Sequence, residues 1–339
     1  MTAIPEAPIH RPEAWTPDDL AGSDDWIHVL SPAEAEDLSS TAARLIEDGL
    51  TLAEVSREEA HLPVLGPVIA RWLDEIDRGR GLKLVRGVPV WSMTPEQTEM
   101  AWWMLGCHLG RPVAQNAAGD LLGHVRDTGD DPDDPSIRLY RTRVGLGFHT
   151  DGADIIGLMC LHPAERGGLS LVTSSVTLFN RFAARRPDLV PVLFEPYPYD
   201  LHDQQPEGAP PYFTVPICQM INGRLNTFYV GWYIRGSQRL AEAPRLTPEQ
   251  IEVLDLIDEL TSEPGSSLPM DLRPGDVQLL KNSVILHART PFEDPPPPAP
   301  RRHLLRLWVR SEVFDDGMDV PGGGMPTRTD AVPDAELVT

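Results

Sequence analysis

The sequence predicts an α+β chain in which a helical N-terminal shell leads into a β-rich core of jelly-roll type. Three observations carry this. Capped amphipathic helical patterns crowd the first 110 residues. Beyond Gly110, short strand-like runs alternate with Gly, Pro and Asp turns. The 35 prolines, about twice the usual usage, disfavour long helices. Many short strands without regular helical crossovers suit a jelly roll better than a doubly wound sheet. One domain is expected over 1–339: a mainly helical shell at 1–110, a jelly-roll core at 111–312 and a mobile tail at 313–339.

Taken in order, residues 1–25 are rich in Pro and Asp and are expected to drape over the surface. Ser31-Pro32-Ala33-Glu34 is a capping box that opens a helix to about Gly49. A second amphipathic run covers Val64 to Asp77. The stretch 81–90 alternates and is rich in β-branched residues, so it reads as a strand. Thr94-Pro95-Glu96-Gln97 caps a third helix to about Leu109. A helical stretch is expected near 175–194, and 211–234 reads as a hairpin turning at Asn222-Gly223. Thr247-Pro248-Glu249-Gln250 caps a helix to about Leu260. Residues 273–288 read as strand, turn, strand, and 301–311 as a last strong strand.

Lys plus Arg total 29 against 51 Asp plus Glu, for a net charge of -22. That balance argues against nucleic acid and against anionic membrane surfaces, since both are held by Lys and Arg. Cys107, Cys160 and Cys218 are odd in number and widely spaced, which suits free thiols in a reducing compartment. No signal peptide and no transmembrane run is expected, so the reading is cytoplasmic. The acidic run 127–135 reads as a solvated turn, with a lid over a site as its functional alternative.

His149 and Asp151 lie two apart in a strand-like run, which puts an imidazole and a carboxylate on one face. Alone that is a weak metal half-site. His287 ends the apolar run from Asn282, where a buried imidazole needs a reason. The other eight histidines have no comparable partner. In the strand 301–311, a period of two puts Arg302, Leu304, Arg306 and Trp308 on one face. His303, Leu305, Leu307 and Val309 take the other, which is apolar enough to pack on the helices. Arg302 and Arg306 then face a cavity roughly 13 Å apart along the strand. Inward guanidiniums call for anions, with internal salt bridges as the bland alternative. Two histidines and one carboxylate on one side of a metal leave open positions, the arrangement of non-haem iron(II) oxygenases.

The order His149-x-Asp151, His287, Arg302-x-x-x-Arg306, with the turn Gly167-Gly168-Leu169-Ser170, resembles the taurine dioxygenase (TauD/TfdA) family. These are Fe(II)/2-oxoglutarate-dependent dioxygenases, among them the clavaminate synthase-like amino-acid hydroxylases; the likeness to the family extends over roughly 80–312, and GLMCLHP at 157–163 resembles the hydroxylase branch. The resemblance implies a distorted double-stranded β-helix flanked by helices. It implies Fe(II) on His149, Asp151 and His287, and 2-oxoglutarate as cosubstrate with its distal carboxylate on Ser170 and Arg302. It further implies Arg306 on the anionic group of a small substrate such as an amino acid or sulfonate, and dioxygen as co-reactant. The gap of fifteen residues from His287 to Arg302 is longer than usual in the family, and PPPPAP at 295–300 takes up the excess. Alternation sets Arg301 on the opposite face.

Gln115 and Asn116, in a strand-to-turn region before the site, are candidates for substrate contact, with solvated turn residues as the alternative. Tyr229 and Tyr233 are candidates for the pocket wall or for the core. The expected reaction is hydroxylation. The same site performing desaturation, cyclisation or another oxidation is one alternative, and a non-catalytic jelly-roll binding protein is another. Asp151 in the carboxylate position argues against halogenation. A homo-oligomer is left open.

Overall fold

A computed structural model of the chain describes residues 4–116, 119–132, 137–202, 205 and 208–316. Two sheets face each other. The larger runs, in spatial order, Ile27–Val29, Leu82–Arg86, Val277–Lys281, Ile155–His162, His303–Arg310 and Arg111–Val113, with Gly123–Val125 also paired to His303–Arg310. Only its first pair is parallel. The smaller runs Leu268–Met270, Ser170–Ser174, Ile285–Arg289 and Leu146–His149, all antiparallel. This is the expected double-stranded arrangement with helices outside it.

The capping boxes work as read. Ser31 and Thr94 accept from the backbone N–H of Glu34 and Gln97 and open the helices Pro32–Glu47 and Pro95–Leu109. With the helix Gly66–Arg78 these cover the outer face of the large sheet. Leu305, Leu307 and Val309 point outward into the same apolar cluster as Trp102 and Met104, while Leu304 points inward. Contact is close: a Cβ on Gly157 would lie 2.6 Å from the Trp102 ring. Trp102 is fully buried, so Trp102→Ala is expected to cost about 3–5 kcal/mol. A second apolar cluster joins the small sheet to the helices Ser175–Arg185 and Pro248–Ser262.

Three expectations need correction, and a fourth holds with an addition. The N-terminal segment does not merely drape: Trp15 and Leu20 are buried in the cluster between the sheets, and Trp15 Nε1 donates to the Arg80 carbonyl at 2.8 Å. An apolar indole and leucine outweigh the polar composition around them. The 273–288 stretch forms strand, turn, strand as read, and the turn passes the chain from the large sheet to the small one. The 211–234 hairpin is shorter than expected. Cys218–Ile221 and Arg224–Thr227 pair about Asn222 and Gly223, whose φ values of 48° and 75° suit that tight turn. Tyr212–Pro216 instead pairs with Pro196–Asp200. The start of the tail is pinned, because the buried Asp316 carboxylate lies 2.8 Å from Lys281 Nζ. Residues 317–339 lie outside the described residues, as do 133–136 of the acidic run. No helix among the described residues is long and apolar enough to cross a membrane.

Candidate active site

The register of the small sheet sets His149 directly opposite His287, with ring centroids 4.2 Å apart. Asp151 does not share their strand. Leu146–His149 ends at His149, and Asp151 sits in the turn that follows. Period-two alternation therefore does not bring it there. Asn282 does: its Oδ1 accepts from the Asp151 N–H at 2.8 Å and its Nδ2 donates to the Asp151 carbonyl at 2.6 Å. Asp151 Oδ1 then lies 3.9 Å from His149 Nε2, and Oδ2 lies 3.8 Å from His287 Nε2. One ligand atom from each residue falls within 4.8 Å of the others.

The protonation states suit a metal. His149 Nδ1 donates to the Gly147 carbonyl at 2.9 Å, which leaves the Nε2 lone pair toward Asp151. Burial pushes both imidazoles down, His287 to about 3, so both are neutral near pH 7. Burial alone would raise Asp151. The charge of Arg306, joined in acid by the two imidazoles once they protonate, outweighs it and holds the carboxyl at about 2.

The three residues sit in the wall of a cavity of about 290 Å³. Ser170 and Arg302 line one end. The Ser170 hydroxyl is 3.0 Å from the Gln278 amide. Arg302 is 4% exposed, lies 4.9 Å from the Phe292 ring centroid and donates from Nη2 to the Gly168 carbonyl at 3.3 Å. Its buried Nη1 has no partner. The Gly167-Gly168 turn makes room for it: both glycines have φ near 70°, and a Cβ on Gly168 would meet Arg302 Nε at 2.8 Å. Arg301 lies outside the cavity, paired with Asp127 and Asp294 at 2.8 Å each.

Arg306 also lines the cavity, and the internal salt bridge that the sequence left as the alternative is present. Its Nη1 is 3.4 Å from Asp151 Oδ2, an oxygen shared with Trp308 Nε1 at 3.0 Å. Its Nε donates to Gln115 Oε1 at 2.8 Å, and Tyr140 and Trp308 stack near it. Gln115 is not among the residues that line the cavity. It is 2% exposed, and its Nε2 returns to the carbonyls of Arg306 and Leu121, so it aims the guanidinium. Asn116 bonds to Asp120 and is likewise not among the cavity-lining residues. Tyr233 lines the cavity, while Tyr229 is core, its hydroxyl on Asp258 at 3.0 Å.

Sequence reasoning missed Asn282, Gln278 and Arg289. Each had a faint signal: a polar side chain in an otherwise apolar strand or turn, and for Arg289 a position two beyond His287 and so on its face. Trp308 was placed on the right face without a role.

The model of the taurine catabolism dioxygenase TauD, TfdA family matches residues 48–308 of this chain. The chain belongs to that family. It is a dioxygenase whose cofactors are Fe(II) and 2-oxoglutarate, and His149, Asp151 and His287 fit the metal. It is similar to the FR-33289 synthase of Streptomyces rubellomurinus, 31% identical over 319 residues, covering 92% of this chain and 93% of that one. Its fold is similar to asparagine oxygenase in complex with Fe(II), 2S,3S-3-hydroxyasparagine and succinate, at 17% identity and a TM-score of 0.66, covering 84% of this chain and 93% of that one. It is also similar to the non-heme iron oxygenase OrfP in complex with Fe and alpha-ketoglutaric acid, at 17% identity and a TM-score of 0.65, covering 85% of this chain and 94% of that one.

Proposed function

We propose that this dioxygenase hydroxylates a small substrate carrying an anionic group and an apolar body, with an amino acid or a sulfonate as the substrate class to test first. The observation that carries the reading is one cavity with a His-Asp-His donor set in its wall and a buried guanidinium without a carboxylate partner at one end. When bound, iron(II) with dioxygen and 2-oxoglutarate supplies the oxidising chemistry, and succinate and carbon dioxide are released. The chain's own work is to bind, orient and keep water out.

His149, Asp151 and His287 are the residues that would hold the iron at the cavity wall. Asn282 fixes the Asp151 backbone, and Trp308 and Arg306 hold its outer oxygen, so the carboxylate cannot swing. Arg302 and Ser170 take the distal carboxylate of 2-oxoglutarate, with Gln278 turning the Ser170 hydroxyl toward it. Arg306 offers its Nη2 edge to the substrate anion, since Nε and Nη1 are engaged with Gln115 and Asp151. Tyr140, Phe213, Phe228, Trp232 and Tyr233 wall the substrate side with apolar surface. The test is 2-oxoglutarate turnover across a panel of amino acids and sulfonates. A coupled product heavier by one oxygen atom is expected. No substrate-stimulated succinate anywhere in the panel, with iron bound, would count against this substrate class.

A further inference from the structure

Two buried guanidiniums stand at one end of the cavity, and the proposed reading uses one of them. Arg289 lines the cavity and is 6% exposed. Its Nη2 donates to three carbonyls of the adjoining loop: Thr142 at 2.8 Å, Leu139 at 3.4 Å, and Val144. Its Nε and Nη1 are buried without a partner. Arg289 Cζ lies 5.0 Å and Arg302 Cζ 4.9 Å from the centroid of the same Phe292 ring. Neither forms an ion pair with a carboxylate among the described residues.

Like charges this close and this dry destabilise each other unless an anion joins them. The loop that Arg289 grips is also part of the substrate side. Leu139 and Tyr140 line the cavity, and the Tyr140 ring centroid lies 4.9 Å from Arg306 Cζ.

We propose that Arg289 is a second cation of the 2-oxoglutarate subsite, sharing the field of the distal carboxylate with Arg302, and that its grip on Leu139–Val144 couples cosubstrate binding to the substrate wall. Arg289 is thus a positioning residue, acting by charge on one side and by backbone hydrogen bonds on the other. The inference rests on the assignment of Arg302 and Ser170 to 2-oxoglutarate.

The test uses the full chain loaded with Fe(II) under anaerobic conditions. It is titrated with 2-oxoglutarate and with 2-oxopentanoate, which lacks the distal carboxylate. Wild type is expected to prefer 2-oxoglutarate strongly. Arg289→Met is expected to weaken 2-oxoglutarate at least tenfold and to leave 2-oxopentanoate unchanged. Arg289→Lys keeps the charge and loses the fork, so it is expected to retain most of the preference. Hydrogen exchange of amides 139–144 is expected to slow on adding 2-oxoglutarate to wild type and not to Arg289→Met. Equal weakening of both acids, or of neither, would overturn the inference and leave Arg289 a loop strut. Should Arg289→Met melt early, Arg289→Lys decides, and loss of the preference with a lysine in place sinks the charge role. Arg302→Met separates the two readings. If it leaves the preference intact, the subsite assignment itself is wrong. If it abolishes the preference while Arg289→Met does not, only the present inference falls.

Discussion

Asn282 grips Asp151 by both ends of its amide, accepting from the N–H at 2.8 Å and donating to the carbonyl at 2.6 Å. A metal-ligating carboxylate that lies beyond the end of its strand is thus held by the turn that joins Val277–Lys281 of the large sheet to Ile285–Arg289 of the small one. Asn282→Ala removes both bonds. Positioning partners of this kind typically carry about 10- to 100-fold in metal affinity or activity. Fe(II) titration of Asn282→Ala is expected to show a loss in that range, with a melting temperature close to wild type. Unchanged affinity would leave the clamp without a role.

His149→Ala and His287→Ala each delete one of three protein ligands, and coupled 2-oxoglutarate turnover is expected to vanish in both. Succinate release in the presence of the best panel substrate is the measurement. Near-wild-type turnover by either variant would refute the donor set.

Arg302 is buried and lacks a carboxylate, whereas Arg301 is half exposed and already paired. Removing one partner of a buried charge pair costs about 3–5 kcal/mol. Arg302→Ala is therefore expected to raise KM for 2-oxoglutarate by orders of magnitude, and Arg301→Ala to leave it nearly unchanged. Ser170→Ala, losing one charge-assisted hydrogen bond, is expected to cost about 1.5–3 kcal/mol in 2-oxoglutarate binding. The reverse ranking of the two arginines would place the cosubstrate elsewhere.

Arg306 touches both Asp151 and the cavity, so its variants test two functions at once. Arg306→Leu is expected to spare 2-oxoglutarate binding, weaken the substrate and enlarge the uncoupled share of 2-oxoglutarate decay. Arg306→Lys is expected to rescue only part, because an ammonium lacks the planar fork. Gln115→Leu should reproduce a milder form of Arg306→Leu, since it loses the hydrogen bond that aims the guanidinium. A change confined to melting temperature, with substrate KM unmoved, would make Arg306 a structural ion-pair partner of Asp151.

The metal-free protein should also lose stability in mild acid. His287 binds its proton at about 3 when folded and near the ordinary histidine value when unfolded. Between those values the unfolded state holds the extra proton. Stability therefore falls as pH drops below about 6.5, by up to about 1.4 kcal/mol per pH unit for one proton. Urea midpoints of wild type and His287→Gln at pH 6.5 and pH 5 measure this. A pH slope no shallower in His287→Gln than in wild type would show that His287 is not the group responsible.

By itself, the sequence determined the class of the fold, the capped helices and the residue types of the site. These are local properties: a capping box closes over four residues, and strand alternation is set by the pleat. Arg302, Leu304, Arg306 and Trp308 share a face because of that pleat, and all four line the cavity. What only the tertiary structure decided is who stands beside whom. Asp151 depends on Asn282, 131 residues away, and Gln115 reaches Arg306 across 191. Trp15 left a polar segment for the space between the sheets, and the two strands of 273–288 went to different sheets. Pattern along the chain records burial and period, whereas pairing across it is fixed by the closure of one sheet on another. That closure is what turns two arginines, Arg289 and Arg302, into neighbours across a single phenylalanine ring.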